Sequence, residues 1–146
     1  MAMSAVRKHK RKIITGVLFL LLASSFVFYD ELVRLYVRLN SSLLEDFALA
    51  SLEDCEEEFL LTRYGLWDVT VWKQAGVVEF HTRQSTAFGG IEKGFCYSKA
   101  DTPISFQATN YPLATDGAGW TWADLYGNHG YTERIRPRWF WYEAVL

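Results

Sequence analysis

In WDVTVWKQAGVVEFHTR, residues 67–83, the apolar period changes from helical to alternating. Trp67, Val69 and Val71 alternate with Asp68 and Thr70, the two-residue period of a strand with one face on a core, and Trp72 departs from it. Ala75-Gly76 is a turn signal, after which Val78 and Phe80 resume the apolar face opposite Glu79, His81 and Arg83. Residues 66–83 therefore read as a β-hairpin, with His81 on its polar face.

On the N-terminal side the period is helical. Leu44, Ala48, Leu52, Cys55 and Phe59 recur at three and four, which predicts a helix from about Leu43 to Thr62 with Gly65 as its stop. Ser42 followed by Glu45 has the spacing of a capping box at its start, and the same Asn40-Ser41-Ser42 tripeptide matches a glycosylation sequon. On the C-terminal side, Phe88-Gly89-Gly90 is loop and Gly94–Ser98 is a strand. Residues 100–119, with Pro103, Pro112, Asp116, Gly117 and Gly119, are irregular, with Ile104–Gln107 as an extended piece. Trp120–Leu125 is a short strand, and Tyr131–Ile135 with Arg138–Val145 form a second hairpin around Pro137. Apolar residues on both faces of the last strand place it inside the sheet. The expected architecture is α+β: a packing helix against an antiparallel β-sheet of four to six strands, preceded by a single transmembrane helix.

That N-terminal helix is IITGVLFLLLASSFVFY, residues 13–29, which carries no charge. As a helix it would cover about 25 Å, close to the thickness of a bilayer's hydrocarbon core. Arg7, Lys8, Lys10, Arg11 and Lys12 precede it, and Asp30 and Glu31 follow, a distribution that keeps the front end in the cytoplasm. Leu32, Leu35, Tyr36 and Leu39 continue it as an amphipathic stem. The expected organisation is a basic cytoplasmic tail over 1–12, a signal-anchor helix over 13–33, a stem over 34–42 and an extracytoplasmic domain over 43–146. The alternative is a secreted protein cut after Ser25, since Ala23 and Ser25 have the spacing of a signal-peptidase site; Phe26, Val27, Phe28 and Tyr29 continue the apolar run past it.

The formal charge of −2 conceals an asymmetry. Five of the fifteen Lys and Arg precede residue 13, so residues 30–146 hold ten basic against seventeen acidic side chains, a balance of −7. Such a surface offers no cationic groove for nucleic acid. Cys55 and Cys96 both fall on the outer side, where a bridge is permitted; closing a loop of about 40 residues would contribute about 4 kcal/mol in the chain-entropy model. The other reading is two small buried apolar residues.

No catalytic set, metal-ligand spacing or cofactor fingerprint is recognisable, so no cofactor is expected. Glu53, Asp54, Glu56, Glu57 and Glu58 spread around a helix and do not converge on a substrate; they read as a solvated face or an acidic docking surface for a basic partner. Trp120 with Trp122, and Trp139 with Trp141, lie two apart, so each pair shares a strand face, either as core or as a binding platform.

In outline the basic leader, apolar helix, amphipathic stem and antiparallel sheet resemble pilins and pseudopilins. Those have a leader glycine followed by a Phe-Thr-Leu-Ile-Glu type start, whereas Gly16 here is followed by Val17, Leu18, Phe19 and Leu20, with no acidic residue in the span. The resemblance implies processing next to Gly16 and assembly into filaments. The leading expectation is a single-pass membrane-anchored binding or structural module with a protein partner in a cell-surface or envelope assembly. The competing class is an enzyme with its site in the 100–131 loop region, around Asp116, Asp124, His129 or Arg134.

Overall fold

A computed structural model describes residues 28–85 and 90–146. The anchor expected over 13–33 falls mostly on residues outside these, as does most of the Phe88-Gly89-Gly90 loop. Among the described residues no helix is long and apolar enough to cross a membrane. Residues 28–35 form the first turns of helix α1 (Tyr29–Asp54), where the Leu32 amide donates to the Phe28 carbonyl at 2.9 Å and Arg34 lies 4.0 Å from Glu31.

From Tyr36 onward the chain is α+β: α1 packs against an eight-stranded antiparallel sheet. The strands are β1 (Phe59–Tyr64), β2 (Trp67–Trp72), β3 (Val77–Ser85), β4 (Ile91–Ser98), β5 (Ala114–Asp116), β6 (Gly119–Ala123), β7 (His129–Arg136) and β8 (Trp139–Val145). Their order, β1-β2-β3-β4-β8-β7-β6-β5, is two four-stranded meanders joined where β4 meets β8. Eight strands exceed the four to six expected. The extra ones are β1, read as helix, and β5, read as loop.

α1 ends at Asp54 and not at Thr62. The 3-4 stripe through Cys55 and Phe59 is a coincidence of spacing, because FLLTRY pairs in register with β2, from Phe59 opposite Trp72 to Tyr64 opposite Trp67. Gly65, at φ +59, opens the two-residue turn of that hairpin instead of capping a helix. The carboxylates at 53–58 oppose the helix dipole at this end, and the Lys73 ammonium donates to the Cys55 carbonyl there. The expected break at Asn40-Ser41-Ser42 is a kink within α1: Asn40 alone is non-helical, at φ −113 and ψ 17, and its amide donates to the Tyr36 carbonyl at 3.0 Å. Glu45 serves no capping box. It accepts from the Tyr97 hydroxyl at 3.2 Å and from Arg138 Nη1 at 2.6 Å, fixing the helix to the sheet.

The two faces of the sheet are covered differently. On the helix side, Val37, Leu44 and Ala48 of α1 are buried, and register aligns Val69, Phe80, Phe95 and Trp141 in one row and Val71, Val78, Tyr97 and Trp139 in the next. Phe80 stacks on Phe95 with centroids 4.6 Å apart, and Phe47 of α1 reaches Tyr64 at 4.8 Å. On the other face the chain between β4 and β5 crosses back, and its Phe106 joins Val77, Cys96, Trp122, Phe140, Tyr142 and Ala144 in a second core. Burial of this area supplies the main driving force on both sides.

Candidate functional site

The loop side holds the densest set of buried titratable groups, placed there by β3. Glu79 sits between Val78 and Phe80, which face the helix, so its carboxylate points into the second core, where it is 1 % exposed. Trp72 Nε1 donates to Oε2 at 2.7 Å and the Gln107 amide donates to Oε1 at 2.7 Å. Gln107 and Ala108 both have left-handed backbone, at φ 58 and 49, so the turn at Phe106–Ala108 aims its amides at the acid as an internal anion nest. Burial raises the Glu79 pKa to about 7, against the lowering effect of Trp72 and the turn amides.

Two residues on, His81 lies between two hydroxyls. Its Nε2 is 2.9 Å from Thr70 Oγ1 and its Nδ1 is 2.9 Å from the Tyr142 hydroxyl, with Glu92 Oε2 3.5 Å from Nδ1. Burial lowers the His81 pKa and raises those of Glu92 and, strongly, Tyr142. A protonated phenol donating to Nδ1 leaves Nε2–H to donate to Thr70, the tautomer that satisfies all three groups. Gly94 permits this contact: a Cβ there would lie 2.6 Å from the Tyr142 hydroxyl oxygen and 2.0 Å from the Phe80 carbonyl oxygen. His81 is thus no solvent histidine, because the crossover chain returns over the face that alternation marks as polar.

A cleft of about 360 Å³ opens beside this set, lined by Leu61, Asp68, Thr70, His81, Glu92 and Gln107. A smaller hollow of about 270 Å³, lined by Glu58, Phe59, Trp72 and Asn110, shares Gln107 with it. Both ring nitrogens of His81 are engaged, and burial next to Glu79 holds the Cys96 thiol well above its ordinary pKa, so neither is poised as a nucleophile. Among the described residues no group of three or more His, Cys, Asp or Glu side chains is arranged to hold a metal ion.

The residues singled out by sequence are placed as follows. Trp122, Trp139 and Trp141 are buried and Trp120 packs partly buried on the second core, so of the two readings, core and platform, they are core; register sends the 120/122 pair to the loop side and the 139/141 pair to the helix side. Of the two readings of Cys55 and Cys96 the bridge is not formed, and both thiols are free and buried, as the other reading has them. Cys96 faces the second core, whereas Cys55 follows the helix and donates to the Glu57 carbonyl at 3.3 Å. Glu53, Asp54, Glu56, Glu57 and Glu58 are all exposed around the end of α1 and the approach to β1.

The candidates for a 100–131 enzyme site do not converge. Asp124 accepts the Tyr126 and Asn128 amides at 2.7 and 2.9 Å within its own turn, and His129 lies exposed 3.1 Å from the Gly127 carbonyl. Asp116 is exposed on β5, while Arg134 pairs with Asp101 and lies over Phe140 at 4.7 Å. Glu79, Glu92 and Tyr142 were not singled out by sequence; the signal available was an acid embedded between two core residues of a strand. The chain matches no protein-family model, and neither a similar curated protein nor a similar solved structure was found.

Proposed function

We propose that this chain is a single-pass membrane-anchored binding module, held by residues 13–33 with its α+β domain on the extracytoplasmic side of the plasma or inner membrane, as an accessory component of a cell-surface or envelope assembly. The basic flank and uncharged run support the anchor. The observation that carries the binding role is β1, a six-residue edge strand whose outer side pairs with no other strand among the described residues. Phe59, Leu60 and Leu61 on it are 48, 36 and 70 % exposed. Exposed apolar residues on an open strand edge are a template for pairing with another chain.

Two measurements in intact cells test this reading. Leu66 is 97 % exposed at the tip of the β1–β2 turn and both native thiols are buried, so Leu66→Cys should label with a membrane-impermeant maleimide without lysis. Labelling only after lysis would overturn the topology. A photoreactive amino acid in place of Leu61 should give a discrete crosslinked species, and one in place of the exposed Leu125 should not. A full-length chain that crosslinks to nothing through position 61 sinks the binding role.

A further inference from the structure

We infer that β1 receives a basic, extended segment of a partner protein as a ninth strand, an inference that rests on the binding reading above. The two ends of the sheet differ in how they meet water. β5 has only three residues, the short strand by which sheets ordinarily protect an edge. β1 has six, without proline, and its single charge, Arg63, is turned back onto Asp68, with Nε and Nη2 3.1 and 3.0 Å from Oδ1. A strand laid beside β1 would complete its main-chain hydrogen bonds and cover Leu60 and Leu61.

Charge decides what that strand is. Glu56, Glu57 and Glu58 run directly into β1, Glu53 and Asp54 close the preceding helix, and among the described residues none of the five is in an ion pair with a cation. The Glu58 carboxylate accepts from the neutral Gln74 amide, at 3.3 Å, and the Lys73 ammonium is turned onto the Cys55 carbonyl. A second copy of this chain would bring another surface with a balance of −7 against the same edge, whereas lysines or arginines at alternate positions would meet the carboxylates.

The test uses full-length protein in detergent micelles and a fluorescent peptide of alternating lysine and valine, followed by anisotropy. The peptide should bind, and N-methylating alternate amides, which removes the donors along one strand edge while keeping every charge, should weaken it by about tenfold or more. Glu56→Gln, Glu57→Gln and Glu58→Gln together should weaken it by a similar factor, and a glutamate-for-lysine peptide should not bind. Equal binding of the methylated peptide would mean charge adsorption without strand addition, and equal binding of the acidic peptide would remove the basic specificity; either overturns the inference. So does a stable dimer in sedimentation that loses its dimerisation with Leu61→Lys, since a second copy then occupies the edge. If no peptide binds while the crosslinker at position 61 still captures its adduct in cells, the module reading stands and the basic strand falls.

Discussion

The helix side and the loop side of this sheet solve the same problem with different chemistry. Under α1 the contacts are aromatic and aliphatic, Phe80 on Phe95, Phe47 on Tyr64, Trp139 near Tyr97, and nearly all polar contact is at the rim, through Glu45 with Tyr97 and Arg138. A helix satisfies its own backbone, so what lies beneath it can be apolar throughout. The crossover chain carries amides and carbonyls without such partners, and the sheet supplies them. Glu79 takes the Gln107 amide and the Thr132 hydroxyl donates to the Ile104 carbonyl at 3.0 Å, while within the crossover itself the Ser105 hydroxyl donates to the Thr109 carbonyl. Buried polar residues on this face are what covering a sheet with irregular chain demands.

The contrast can be broken from either side. Phe95→Ala, which empties the stacked helix-side core, should lose about 3 to 5 kcal/mol in chemical denaturation, with little dependence on pH. Glu79→Gln turns an NH₂ against one of the two N–H groups that now donate to the separate carboxyl oxygens and should cost about 2 kcal/mol near pH 5. Because folding raises this acid's pKa from 4.5 to about 7, the native state binds the extra proton: the contribution is complete below about pH 4.5 and is lost as pH rises through about 7. The stability gap between wild type and Glu79→Gln should therefore shrink from pH 5 to pH 8, and a gap that widens refutes the assignment. Thr132→Val, nearly isosteric and fully buried, should cost about 1 kcal/mol and raise hydrogen exchange in the crossover chain more than in α1. Leu61→Lys, on the exposed edge, should change stability by less than about 0.5 kcal/mol and abolish the peptide signal.

How much of this was legible follows from range. The β2–β3 hairpin was readable because its alternation and the Ala75-Gly76 turn are local, and Gly76 does take a positive φ of 65°. The buried C-terminal strand was readable because WFWYEAV is apolar on both faces. β1 was misread because Cys55 and Phe59 extend a helical stripe, and only pairing with β2 makes the segment a strand. The polar set was misread for the same reason on a longer scale. Glu79 and His81 alternate with Phe80 as an outward face should, and nothing local tells that Phe106, Gln107 and Ala108 fold back over them. The tryptophan pairs were correctly assigned to shared strand faces, and burial, not spacing, decides that they are core.

β8, the last of the eight strands in chain order, lies between β4 and β7 and not at a margin. Until Val145 has emerged to pair with Ile91, the first meander must wait with its inner border open and Phe95 and Tyr97 incompletely covered. Closure of the sheet is therefore held back until the eighth strand has been made, and deletion of β8 splits the sheet down its middle, leaving two halves with open strand edges.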